Sequence, residues 1–392
     1  MNENAAVERD LRAAAPHELL HVVNEALIRG YGATRVQLHL ADYGVRSLQL
    51  VGATPLSDDP VLIHDSPQGR AFEAPDPLVV TDGEAHTVTV HLPVSVRGDR
   101  VGVLSATFPE KLDTKACLPD LEHICDALGH EIMVAERDTD HYILARRASR
   151  LTLAAEMQWQ LLPGRSCRRP EFALGAHLEP AYAIFGDNFD WSTSGDHLTL
   201  AITNGMGEGI EAALLTNLAV NAMRNARRAG LGLADQAYLA DQAVHAHYRG
   251  SVYVSMLLMR FELSTGRTEV VEAGSPRVWR MRDGKVEALA FDAQLPLGMF
   301  EDTVFDSEHF QVEPGDRLLF ASDGVYGTSS QAGEHYGEHA LARSLTANRL
   351  LPASQVPRAV LRELTDYRGV SPLDDDALVL CLDWYGKDAP AG

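Results

Sequence analysis

Between residues 172 and 385 the chain runs through strand-like segments, two consecutive helices, and strand-like segments again. Few architectures accept that order. Residues 175–180, 197–203, 252–261, 268–273, 277–281, 317–322 and 377–384 are apolar or alternate in the manner of strands. Gly266 and Asp283-Gly284 punctuate hairpins. Residues 210–228 and 233–248 carry helical spacing. The first of these helices ends in Arg224, Arg227 and Arg228, cations that suit a helix C-terminus, and Gly230 stops it. Two antiparallel sheets packed face to face, each covered by helices, satisfy this order. The expected fold class is α/β (α+β), as a four-layer αββα sandwich.

The sandwich leaves more than a third of the 392 residues unassigned, enough for a second domain. Residues 1–15 are polar and acidic and read as a tail. Residues 16–135 read as a small α/β unit. Leu19, Leu20, Val23, Ala26 and Leu27 fall on one helical face, residues 35–40 and 45–51 alternate like strands, and 66–73 form a short helix. Residues 87–96 and 101–108 then make a hairpin whose turn carries Gly98. From about 118 to 162 the pattern is nearly continuous helix. Leu121, Ile124, Leu128, Ile132 and Ala135 make one stripe, and Leu144, Leu151, Ala155 and Leu162 a looser one. The predicted boundaries are therefore a unit at 16–135, a linker helix at 136–163, a sandwich at 164–386 and a tail at 387–392. The stripe has no obvious partner within the chain, so the helix is expected to pair with a copy of itself, as a homodimer, or to dock on a neighbouring domain.

The net charge of −21 argues against nucleic-acid binding, because a phosphate backbone repels such a surface. No apolar run approaches about 18 residues, so no membrane span is expected. Four scattered cysteines without a Cys-x-x-Cys pair read as reduced thiols of a cytoplasmic protein.

Four short segments carry the chemistry: Gly186-Asp187-Asn188-Phe189-Asp190, Asn204-Gly205-Met206-Gly207-Glu208-Gly209, Ser322-Asp323-Gly324 and Asp374-Asp375-Asp376. Each ends a strand-like run or precedes a helix-like one, which puts its carboxylates at the mouth of a core. Spaced Asp residues beside Gly provide oxygen ligands and close backbone carbonyls, the requirements of a hard divalent cation.

The set and its order, with the Leu161-Leu162-Pro163 entry and the Ala212-Ala213-Leu214-Leu215 helix, resemble the SpoIIE/RsbU-like branch of the PPM-type serine/threonine protein phosphatases. Residues 16–135 are similar in element order to a GAF sensory domain. The resemblance implies two divalent cations, Mn²⁺ or Mg²⁺, that activate a water for attack on phosphorus without a covalent side-chain nucleophile. It implies metal roles for Asp187, the Gly205 carbonyl, Asp323 and Asp375, with Asp190 and the residue at 204 as further candidates. It implies a phosphorylated regulatory protein as substrate, such as an anti-sigma-factor antagonist in a partner-switching pathway, under control of the N-terminal domain. This chain departs from the family at Phe185, Leu378 and Ser275. It departs above all at Asn204, where the family carries an Asp that bridges both metals. An amide offers one oxygen and no charge, so it can serve one metal but not two. A weak or inactive phosphatase that binds phosphoproteins is the alternative this implies.

Overall fold

The computed structural model describes residues 3–52, 60–148, 150–180, 185–274, 276–330, 332–369 and 373–387. The backbone divides into two compact units, Met1–Arg150 and Leu151–Gly392.

The first unit runs α1 (Glu3–Ala13), α2 (Leu19–Tyr31), β1 (Arg35–Ala41), β2 (Ser47–Leu50), β3 (Val61–Leu62), α3 (Pro67–Glu73), β4 (Leu78–Asp82), β5 (Thr87–Val96), β6 (Asp99–Pro109), α4 (Thr114–Ala135) and α5 (His141–Ala145). Its strands form one antiparallel sheet in the order β3-β2-β1-β6-β5-β4. The β5–β6 hairpin closes through Arg97 and Gly98, both with positive φ, the two-residue turn whose twist matches its strands.

Three expectations are corrected here. Residues 1–15 are not a tail: from Glu3 they form α1, and Val7 and Leu11 enter the core of this unit. The long helix over 118–162 is three helices. Beyond Glu136 the polar run turns: the Asp138 and Thr139 N–H groups both return to the Ala135 carbonyl, and the Thr139 hydroxyl accepts from His141 N. Short polar side chains compete with the helix for backbone groups, and the turn buries Tyr142 in the same core. The stripe Leu121, Ile124, Leu128, Ile132 and Ala135 packs there with Leu11, Val90 and Val94. Its partner lies within the chain, which removes the ground for pairing two copies along it.

The second unit runs α6 (Leu153–Leu161), β7 (Ser166–Arg168), β8 (Phe172–Glu179), β9 (Asp187–Thr193), β10 (His197–Gly205), α7 (Gly209–Arg228), α8 (Leu233–Tyr248), β11 (Val254–Glu262), β12 (Arg267–Ala273), β13 (Arg277–Arg282), β14 (Lys285–Leu289), β15 (Glu308–Gln311), β16 (Arg317–Ala321), α9 (Asp323–Tyr326), α10 (Gly337–Ala347), α11 (Val356–Arg368) and β17 (Ala377–Trp384). Helix α6, which the sequence assigns to a linker, belongs to this unit.

One sheet has the order β15-β12-β11-β10-β9 and the other β14-β13-β16-β17-β8-β7. The core between them interleaves Leu200, Ile202, Met259 and Phe261 of the first with Leu174, Phe320, Leu380 and Trp384 of the second. The Phe261 and Trp384 rings stack across the gap at 5.9 Å. A second core lies under α7 and α8, and a third under α10 and α11. These are the four layers αββα. No helix among the described residues is long and apolar enough to cross a membrane.

Candidate metal centre

Strand parity builds the site. Side chains alternate between sheet faces with period two. On β10, Leu198, Leu200 and Ile202 face the opposite sheet. Ile202 pairs with Phe189 of β9, and the next inward pair is Asn204 with Asp187. The apolar row thus ends in an amide and a carboxylate. On β17, Leu378, Leu380 and Leu382 face inward, and two residues before Leu378 lies Asp376. On β16, Leu318 and Phe320 face inward, and two beyond Phe320 lies Ser322. The Ser322 hydroxyl accepts from Leu378 N at 3.0 Å, which keeps β16 and β17 joined to their tips. Asp323 then opens α9. Both sheets end at the same place in polar residues.

Glycine permits this crowding. A Cβ at Gly324 would lie 1.9 Å from the Asp376 carbonyl oxygen, and one at Gly186 would lie 2.0 Å from the Gly205 carbonyl oxygen. Gly205 N donates to Gly186 O at 3.0 Å, so the two backbones are pinned where the row ends.

Asp187 is 1% exposed, and neither carboxylate oxygen has a hydrogen-bond partner. Burial first, then the charge of Asp376, push its pKa well above the ordinary carboxylate value; Asp323 and Asp375 add to this. The Ser322 hydroxyl draws it back in part, although it stands outside hydrogen-bonding geometry to either oxygen. Asp375 is half-buried and its pKa rises to about 6, through burial and then the charge of Asp323, against the Asp376 N–H that donates to it at 2.7 Å. Asn204 Nδ2 donates to Asp323 Oδ1 at 2.9 Å. Asp187, Asn204, Asp323 and Asp375 therefore meet electrostatically at one end of the inter-sheet core. Among the described residues, no three His, Cys, Asp or Glu side chains form a ready-made cage.

The donors fit a hard divalent cation. They are all oxygens, and the buried Asp187 carboxylate lacks the positive partner that would offset its desolvation. Asn204 presents its NH₂ group to Asp323 and would have to turn over to offer its oxygen to a cation.

Asp190 does not belong to this site. It lies three residues from Asp187 on one strand and so on the opposite face, opposite Ala201 rather than Asn204. There Arg224 Nε and Nη2 donate to Oδ1 at 3.2 and 2.8 Å, and Arg227 Nη1 donates to Oδ2 at 2.9 Å. Two guanidinium groups already neutralise this carboxylate, which faces away from the site and does not need a cation. Of the other departures, Leu378 is a buried inter-sheet residue, Phe185 donates its N–H to Asp376 Oδ2 at 3.1 Å, and Ser275 lies outside the described residues.

Two residues of the site are missed by sequence reasoning. Gln158 of α6 is 4% exposed, and its Nε2 donates to Asp187 O at 3.1 Å and to Asp376 Oδ2 at 2.8 Å. Asp376 is fully buried and accepts from both Gln158 and Phe185. The one signal for Gln158 in the sequence is its place on α6 one turn before Leu161, on the buried face.

The family model for stage II sporulation protein E (SpoIIE) matches residues 194–385. The chain is 22% identical over 200 residues to phosphoserine phosphatase RsbU of Bacillus subtilis, covering 50% of this chain and 59% of that one. It is 26% identical over 157 residues to phosphoserine phosphatase RsbP of the same organism, covering 39% of each. The chain therefore spans less than two thirds of the length of these relatives. Among solved structures, the RsbU and RsbW domains of Rv1364c from Mycobacterium tuberculosis share its fold, with a TM-score of 0.50 and 23% identity over 57% of this chain and 62% of that one. The second unit thus carries the SpoIIE family pattern over residues 194–385, and both of these relatives are phosphoserine phosphatases.

Proposed function

We propose that this SpoIIE-family domain hydrolyses phosphoserine or phosphothreonine on a regulatory protein, in a cation-dependent reaction at the polar end of the inter-sheet core. The observation that carries the reading is Asp187, a buried carboxylate without a partner, set among Asp323 and Asp375. Those three side chains and the Gly205 carbonyl would hold Mn²⁺ or Mg²⁺. The bound cation supplies a water acidic enough to attack phosphorus at neutral pH. The chain's own part is to fix the oxygens, to keep the apolar row behind them dry, and to hold position 204 neutral. The product is the free hydroxyl side chain and inorganic phosphate. The relatives' names favour a phosphoserine protein, and an anti-sigma-factor antagonist is the substrate class we propose, with the first unit controlling the activity.

Asn204 favours a second reading, a phosphatase of low turnover. Two dications within about 4 Å repel strongly without an anion between them, and the Asn204 amide binds Asp323 instead of offering charge. Asn204→Asp should bring a second Mn²⁺ into calorimetric titrations and raise phosphate release from a phosphoserine protein by about tenfold or more, the scale of one lost transition-state charge contact. Equal stoichiometry and equal rate in both forms would remove position 204 from the site. No phosphate release from either form would leave the binding reading alone.

A further inference from the structure

We infer that Gln158 is a positioning residue of the metal centre, an amide on α6 that ties the two sheets together where the cation would sit. The inference rests on the cation-dependent reading above and adds a residue to it.

The argument begins with the spacing of the sheets. Along the apolar row, interdigitating side chains hold two packed sheets about 10 Å apart. At the end of the row that packing stops, and the separation must be set by polar contacts. Among the described residues, three side-chain hydrogen-bonded ties cross the gap. Asn204 of β10 reaches Asp323 at 2.9 Å, Phe185 N before β9 reaches Asp376 at 3.1 Å, and Gln158 reaches both sheets at once. Its single NH₂ group donates to the Asp187 carbonyl of β9 and to the carboxylate of Asp376, which precedes β17. One side chain thus fixes the backbone of the orphaned carboxylate against the residue next to Asp375.

Stability alone does not account for a glutamine here. The buried Gln158 Oε1 has no partner, and an unsatisfied buried acceptor costs about 1–3 kcal/mol. The face of α6 around it is apolar, with Ala154, Ala155 and Leu161 all buried. An aliphatic side chain would satisfy that face and carry no orphaned acceptor of its own, although it would take a donor from the Asp187 carbonyl and from Asp376, which keeps the Phe185 N–H. What it would not supply is the double donor. Partners that orient metal ligands without touching the metal commonly contribute 10–100-fold to affinity.

The test uses the full chain and Mn²⁺ alone as the probe, with affinity read by calorimetry and the metal-free fold read by melting in EDTA. Gln158→Leu keeps the volume and removes both donors. We expect its Mn²⁺ affinity to fall by about tenfold or more while its melting in EDTA stays within a few degrees of wild type. An affinity within about twofold of wild type would overturn the inference, given that outer partners usually exceed that. Loss of a cooperative melt in EDTA would assign Gln158 to the fold rather than to the site, and would overturn it equally. Asp187→Asn separates this from the parent reading. If that variant binds Mn²⁺ as wild type does, the metal reading itself fails and the inference goes with it. If it loses binding while Gln158→Leu keeps it, only the role of Gln158 fails.

Discussion

Asp187 and Asp190 stand three residues apart on one strand, are both almost wholly buried, and are in opposite electrostatic situations. Asp190 faces α7 and is held by Arg224 and Arg227. Asp187 faces the other sheet, its carboxylate hydrogen-bonds to nothing, and three carboxylates lie near it with the Ser322 hydroxyl alone acting in the other direction. A buried charge that is paired and hydrogen-bonded is part of the fold. A buried charge without a partner costs folding energy and persists where another component supplies the opposite charge. The comparison separates the structural acid from the acid available to a cation, though both lie in one five-residue segment.

The same substitution at the two positions should therefore act with opposite sign. Asp190→Asn leaves two partly buried guanidinium groups facing an amide, and breaking a buried ion pair from one side costs about 3 kcal/mol. Arg224 also donates to the Leu161 carbonyl, so the end of α6 should loosen with it. All four tryptophans, Trp159, Trp191, Trp279 and Trp384, lie in the second unit, so tryptophan fluorescence during urea unfolding reports that unit alone. A loss below about 1 kcal/mol, the value of an exposed pair, would break the comparison from the Asp190 side.

Asp187→Asn should stabilise the metal-free unit by about 1–2 kcal/mol at neutral pH, because a neutral amide costs less to bury than a carboxylate without a partner. The fluorescence-detected melt in EDTA should rise by a few degrees. A lower melting temperature in EDTA would mean that Asp187 has a stabilising partner after all.

The sequence and the structure differ in ways that follow from the same physics. Asp187 is legible because it ends an inward-facing apolar row; Asp323 and Asp375 each lie one residue beyond the inward ends at Ser322 and Asp376, and only the motifs single them out. Asp190 misleads because motif spacing says nothing of strand parity, and an odd offset turns a side chain to the other face. Strand β9 is hard to see, since Asp-Asn-Phe-Asp is poor in β-forming residues and is held by its neighbour β10. Helix α11 is hidden by Pro357, which looks like a breaker but sits in the first turn, where proline is tolerated. Gln158 falls at the spacing of the buried face of α6, with Ala154 and Leu161, but as a polar residue it is passed over by a reading of apolar stripes. The stripe over residues 121–135 is read correctly as buried and wrongly as unpartnered, since only the tertiary fold brings α1 and β5 against it.

The last contrast is a difference in the pH slopes of the two units. In the second unit without metal, Asp375 has its pKa raised to about 6, and Asp187 is raised as well. Glu272, raised to about 7 by burial and by Glu308, adds in the same direction. The folded state then holds protons that the unfolded chain has released. Stability is full below about pH 4, the ordinary carboxylate value, and falls as pH rises through about 6 to 7. For Asp375 the loss is about 1–2 kcal/mol after discounting for its partial exposure. In the first unit the sign is reversed. His39 is buried and its pKa is lowered to about 4, by desolvation and then by His91 and Arg35. Folded His39 holds fewer protons than unfolded His39 between about pH 4 and 6.5, so stability there rises with pH. Calorimetric melting in EDTA, with tryptophan fluorescence to mark the second unit, should show the two transitions shifting in opposite directions as pH rises from about 4.5 to 7. Asp187→Asn should flatten the fluorescence-detected slope without abolishing it, because Asp375 and Glu272 remain. Saturating Mn²⁺ should reverse that slope, because a cation binds the carboxylate form and competes with protons for it. A fluorescence-detected melting temperature that climbs with pH in EDTA would show that the acids at the sheet ends are already compensated within the protein, and the contrast between Asp187 and Asp190 would disappear.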